Sequence, residues 1–275
     1  MVLKKQSLRL PPSIALMLCL FLLHFWAGVA KSEEGPLVVR YNEKAFPASY
    51  LDGETWRGMD VELIDMLVKN VGMQTKPVVV SFPRALKAAA GGGIHLVPNL
   101  SQNDERSRFL EWLGPMRISS VALIVTHDNL DMQIEGYDGL SAAVEQSGLK
   151  IAYVSGSSYS ASLDRKLGQA GFRQNLFFVS EDSTAFRMLR AGRVLGLFYD
   201  AFEARASINT VYPNRLSEFS GLALHPFRVP NSKAGAFIGV SKKLPLELRK
   251  QLRAAFDRMV QGGHIEALER KWGGG

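Results

Sequence analysis

Two long stretches of this chain alternate short β-branched runs with longer runs of helical period, and that alternation admits few folds. In the first stretch, residues 37–41 predict a strand, and residues 58–72 a helix that stops at Gly72. Residues 76–81 follow as a strand, residues 82–90 as a helix with Pro83 in its first turn, and residues 94–97 as a third strand. Residues 42–57 are rich in turn formers. The rhythm restarts with strands at 150–155, 175–180 and 194–199, separated by helices at 159–170 and 182–191 and followed by a helix from 201 to about 207. The fold class expected is therefore α/β, with two open, helix-covered sheets whose strands point their carboxyl ends into a shared cleft, where ligands of such sheets bind. Residues 118–126 lead out of the first lobe, and residues 222–229 are read as the return to it. A strand at 236–240 and helices at 245–260 and 264–272 then complete that lobe. The expected limits are 31–126 with 229–275 for the first lobe and 127–228 for the second.

What precedes residue 31 reads as a cleavable secretory leader. Lys4, Lys5 and Arg9 form a basic start, residues 14–26 an apolar run, and Ala27-Gly-Val-Ala30 a small-residue cleavage site. A retained anchor is the alternative, but the run is short against the about 20 residues that a span needs. The expected location is the periplasm, as a monomer. Removing the leader takes away three cations and leaves 30 cations against 26 acids, a net +4. That charge is mild, and no basic block with interleaved aromatics points to nucleic acid. The single cysteine, Cys19, falls inside the leader, which excludes disulfides, cysteine-based zinc sites and cysteine nucleophiles from the mature chain. The five histidines are scattered without metal-ligand spacing. No zincin, serine-hydrolase or dinucleotide motif is present, so neither a cofactor nor a metal is expected, nor catalysis.

The candidate site centres on residues 98–115. Asn103-Asp104-Glu105 is a helix start, with an N-cap side chain followed by acids in the first turn. Ser101 and the first free amides then sit at a strand end, and Arg106 adds a planar cation suited to a carboxylate. A solvated helix face is the alternative reading of that charge run. Asp200 closes an apolar strand, and Asp200-Ala-Phe-Glu203 is also a capping-box spacing, so the carboxylate either caps the next helix or meets a ligand ammonium, or does both. Ser157, between Gly156 and Ser158 in a strand-to-helix turn, suits amide donation to an anion. Phe82 and Arg84 begin the second helix at another strand's carboxyl end. Tyr50 and Trp56 form either a cleft wall or a cover for the lobe.

In order and spacing, these pieces resemble the bacterial extracellular solute-binding proteins of family 3, the amino-acid receptors of ABC importers. The pieces are Gly58-Met-Asp-Val-Glu-Leu, Phe82-Pro-Arg-Ala-Leu, Ser101-Gln-Asn-Asp-Glu-Arg106, Trp112-Leu-Gly-Pro, Val154-Ser-Gly-Ser-Ser, Ala191-Gly-Arg-Val with Asp200, and Ile265-Glu-Ala-Leu-Glu-Arg-Lys-Trp272. The resemblance implies a two-lobed type II periplasmic-binding-protein fold joined by two hinge strands. It implies capture of an amino acid or related small polar acid, and delivery to a transporter permease. Carried over, Arg106 pairs with the α-carboxylate, helped by Ser101 and Ser157; Asp200 accepts from the α-ammonium, and Phe82 packs on the side chain. His95 stands where the family usually has Asp, and Asn103 replaces its second Thr, which leaves the substrate's identity open. The alternative on this scaffold is an enzyme resembling cyclohexadienyl dehydratase, with Glu181 or Glu203 as the acid.

Overall fold

The computed structural model describes residues 35–209 and 220–272; the expected leader lies outside them. The first sheet is built around β1 (Leu37–Arg40), which pairs in parallel with β5 (Thr75–Val78) and β6 (Leu96–Leu100). β13 (Ala234–Ser241) lies antiparallel between β6 and β7 (Leu110–Ser119), giving the order β5-β1-β6-β13-β7. Leu37 and Val39 of β1 point to one face, where α1 (Met59–Lys69) buries Leu63, Ile64, Leu67 and Val68. Helices α9 (Leu246–Gln261) and α10 (His264–Trp272) complete that layer through Leu252, Phe256 and Leu268. α2 (Phe82–Gly91) covers the opposite face through Ala85 and Ala89. Burying each such aliphatic side chain stabilises the lobe by about 1.5–3 kcal/mol.

The second sheet, β10-β9-β11-β8-β12, repeats the plan. β9 (Ile151–Val154) is buried throughout and runs parallel to β10 (Leu176–Val179) and β11 (Gly196–Asp200). β8 (Val121–Thr126) is antiparallel to β11 and to β12 (Leu222–Arg228). On one face lie α4 (Gly136–Ser147), α5 (Ala161–Leu167) and α6 (Ala170–Arg173), which contribute Leu140, Leu163 and Phe172. On the other, α7 (Asp182–Arg190) and α8 (Ala201–Asn209) bring Phe186, Leu189 and Ala204.

Several segments depart from expectation, each for a local reason. Residues 42–57 are not merely turns; they form a small antiparallel sheet of β2 (Lys44–Ala45), β3 (Ser49–Asp52) and β4 (Thr55–Arg57), whose strands are too short to carry a period. That sheet ends at Gly58, where a Cβ would stand 2.4 Å from the carbonyl oxygen of Ala48. The third strand runs to Leu100 instead of ending at Val97, because the ladder between β6 and β13 breaks register opposite Pro98 and Asn99 and so absorbs the missing amide. Asn99 takes φ 60 there. The expected helix at 159–170 is two short helices, and α4 fills a region where no element was expected.

β8 belongs to the second sheet, so the chain leaves the first lobe at Ser119–Ser120, before the limit at 126. β12 likewise stays in the second sheet, paired with β8, instead of returning. The two crossings are tied together. The Val121 amide donates to Ser232 Oγ at 2.9 Å, the Val229 amide to the Val121 carbonyl at 3.1 Å, and Ser119 is in register with Ala234.

Candidate ligand-binding site

The carboxyl ends of β1, β6, β9 and β11 open into one cleft of about 450 Å³, lined from both lobes. Arg106 enters it from α3 (Asp104–Ser107), a single turn capped by Asn103, whose Oδ1 accepts the Arg106 amide at 2.9 Å. Only 3% of Arg106 is exposed. Nη1 donates to the Ser101 carbonyl and Nη2 to the Gly156 carbonyl, both at 2.7 Å, so its guanidinium is held by one acceptor from each lobe. Two of five donors are thereby taken. Burial pulls its pKa down, while Tyr153 and Asp164 push it back up.

The structure brings Ser101, Phe82, Arg84, Ser157 and Asp200 into the same cleft. The Phe82 ring lies 5.5 Å from the Arg106 guanidinium carbon. Arg84 is exposed. Asp200 caps α8, its Oδ1 accepting the amides of Phe202 at 2.9 Å and Glu203 at 3.1 Å. The cap leaves lone pairs for a second partner. Ser157 differs from the sequence reading: its amide closes a turn onto the Val154 carbonyl at 3.1 Å, and its carbonyl accepts the Tyr153 hydroxyl at 2.7 Å. Gly156 is the residue of that turn that faces Arg106, at φ 81, a backbone conformation that glycine tolerates best.

Tyr50 requires a correction. It does not line the cleft but is buried in the first lobe, its ring 5.3 Å from Phe46 and 6.2 Å from Trp272. β3 turns this aromatic toward the C-terminal helix, where apolar partners exclude water. Trp56 likewise packs on Tyr41, at 5.3 Å. His95, where the family has Asp, accepts the Val38 amide on Nδ1 at 3.0 Å, and burial lowers its pKa, which keeps the ring neutral.

Sequence reasoning missed the densest charge cluster. Arg117, 3% exposed in the middle of β7, donates from Nη1 to Asp60 Oδ1 at 3.0 Å and from Nη2 to Asn99 Oδ1 at 2.8 Å. Glu203 Oε1 lies 3.4 Å from Nη2 and accepts from Asn99 Nδ2 at 2.6 Å, so the cluster joins the first lobe to α8 of the second. Burial pushes the Glu203 carboxyl well above the carboxylate range; Asp200 adds to this and Arg117 pulls back. Burial lowers the Arg117 pKa, but Asp60, Asp200 and Glu203 together outweigh it and hold the guanidinium charged. Burial raises the Asp60 carboxyl too, with Arg117 pulling it back.

Also missed were Arg40, at the end of β1, and Asn42, which donates across the cleft from Nδ2 to Asp182 Oδ2 at 3.2 Å. The signal that singled out Asp200, an ionisable residue closing an apolar strand, was present at Arg40 too. Among the described residues no group of three His, Cys, Asp or Glu side chains is placed to hold a metal ion. None of the described helices is long and apolar enough to cross a membrane.

Known proteins share this architecture. The probable amino-acid-binding protein YxeM of Bacillus subtilis (strain 168) is 21% identical over 245 residues, covering 88% of this chain and 86% of its own. The amino acid ABC transporter substrate-binding protein AbpA of Streptococcus pneumoniae, solved bound to L-arginine, superposes with a TM-score of 0.70 at 19% identity, over 89% of this chain and 97% of that one. The ancestral amino-acid-binding protein AncCDT-1, a precursor of cyclohexadienyl dehydratase, superposes with a TM-score of 0.67 at 18% identity, over 87% and 96%. These likenesses establish a two-lobed binding-protein fold. The sequence profile of one family matches residues 37–275, nearly everything after the expected leader, and by that match the chain belongs to the bacterial extracellular solute-binding proteins, family 3.

Proposed function

We propose that this protein captures an amino acid between its lobes and delivers it to an ABC importer without chemistry, working outside the cytoplasmic membrane after loss of its leader. The observation that supports this reading best is Arg106. A buried guanidinium, fixed by a carbonyl from each lobe and retaining free donors in the cleft, is suited to a carboxylate. Asp200, from the other lobe, offers a carboxylate to an ammonium. A zwitterion leaves water only if both ends find partners. The relatives named for amino-acid binding favour the same ligand class.

Calorimetry of the purified protein against the amino acids tests this directly. Arg106→Met is expected to weaken the best ligand by about 2–5 kcal/mol, because it leaves the ligand carboxylate buried without its partner. Unchanged affinity in that variant, or no amino acid bound at all, overturns the reading.

The enzyme reading keeps one specific observation, the buried Glu203 on the cleft wall, whose carboxyl pKa burial raises. Its Oε1 is already engaged by Asn99 and Arg117, which favours a structural role. Release of phenylpyruvate from prephenate by the protein, lost in Glu203→Gln, would reverse that preference.

A further inference from the structure

We propose that the cleft is built for a ligand with a second anionic group and that Arg40 is the residue that reads it, so that the ligand is an acidic amino acid or a short dicarboxylate. This rests on the binding-protein reading above and narrows its ligand class.

Three carboxylates of the cleft lining already hold donors. Asp182 accepts from Asn42, Asp200 from two backbone amides, and Glu203 from Asn99 and Arg117. Arg40 is the opposite case: it lines the cleft, and its Nε is buried with no hydrogen-bond partner among the described residues. A buried donor without an acceptor is costly, more so on a charged group. Among the described residues, the buried side-chain polar atoms of the cleft lining without a partner are Arg40 Nε and Tyr41 Oη, both able to donate, so a complementary ligand brings an acceptor to this side of the cleft.

Geometry links the two cations. The guanidinium carbons of Arg40 and Arg106 lie 5.6 Å and 5.5 Å from the centroid of the same Phe82 ring. A small ligand gripped by Arg106 at one carboxylate thus has its other end near Arg40. A carboxylate matches a guanidinium with two parallel bonds. The corresponding amide would turn an NH2 group toward N–H donors, and sites of this kind reject such isosteres. Asp182, Glu203 and Tyr199 are the groups whose charges bear on Arg40; burial pulls the Arg40 pKa down and pushes that of Asp182 up, so both are short of hydration. A basic ligand would approach Asp182 and Asp200 against the field of Arg40.

Isothermal titration of the purified protein with glutamate, glutamine, aspartate, arginine and glutarate decides the matter, alongside Arg40→Gln and Arg40→Lys with folding checked by circular dichroism. One of the two acidic amino acids should bind most tightly, and glutamate about tenfold to a hundredfold more tightly than glutamine. Arg40→Gln should abolish that preference while leaving the amide's affinity within about threefold, and Arg40→Lys should restore part of it. Arginine or an amide binding most tightly, or a preference that survives Arg40→Gln, overturns the assignment while the amino-acid reading stands. Glutarate binding in an Arg40-dependent way with no amino acid bound upholds the second-anion site and overturns the amino-acid reading. Binding of none of the five overturns both.

Discussion

Arg117 and Arg40 are both arginines on strands of the first sheet, a short distance from the same helix α8, yet their surroundings differ completely. Arg117 is enclosed by Asp60, Asn99 and Glu203, with the Phe202 ring 4.9 Å from its guanidinium carbon. Each has a buried Nε without a hydrogen-bond partner, but both Nη atoms of Arg117 are engaged by Asp60 and Asn99, whereas Arg40 faces the cleft. A guanidinium saturated at both Nη atoms holds the halves of the molecule in register, whereas one that faces the cleft can meet an outside partner. The sharpest way to break this distinction is to remove each guanidinium in turn. Arg117→Met should destabilise the protein by about 3–5 kcal/mol in urea unfolding, because Asp60 and Asn99 are left buried without their donor. Arg40→Met orphans no hydrogen-bonded partner, so its cost should be far smaller. Equal losses would mean that Arg40 is as structural as Arg117.

Protonation tests the saturated side more gently. The Glu203 carboxyl titrates above the ordinary glutamate value of about 4.3, so between that value and its raised one the folded chain holds a proton that the unfolded chain has lost. Its contribution to stability is therefore complete below the ordinary value and is lost as pH rises through the raised one. Glu203→Gln removes this dependence while keeping an acceptor for Asn99 and Arg117. The stability of the variant relative to the parent should rise by about 1.4 kcal/mol for each pH unit of that window. Melting curves from acidic to neutral pH measure it, and two parallel profiles would show that folding does not shift the Glu203 pKa.

The outer cleft was more legible in the sequence than the cluster beneath it, and the reason is the range of the interactions. Asn103 caps the helix that carries Arg106, three residues on, and Asp200 caps one that begins at the next residue; such signals lie within a single turn of chain. The periods of α1, α2 and α10 are equally local, and their limits came out within three residues. By contrast, Arg117 meets Asp60 across 57 positions and Glu203 across 86, and nothing near Arg117 marks it as buried. The partner of β12 is a choice between two sheets with open edges, which its own residues do not settle. Tyr50 illustrates the same limit, since only the placement of Trp272 turns it inward.

Asn103 offers the smallest and most selective test, because its side chain holds the amide of Arg106 itself. Losing an N-cap costs about 1 kcal/mol wherever the helix sits. In α3 the consequence should reach the ligand as well, since a helix of four residues has no second turn to keep its arginine in place. Ser160 provides the control: its Oγ accepts the Leu163 amide at 3.1 Å at the start of α5, and it does not line the cleft. Asn103→Ala and Ser160→Ala should therefore lose similar stability, while only the first weakens ligand binding by a few fold, and Asn103→Ser should recover most of both losses. If the two alanine variants weaken binding alike, Asn103 acts through the stability of its lobe and not through the position of the guanidinium.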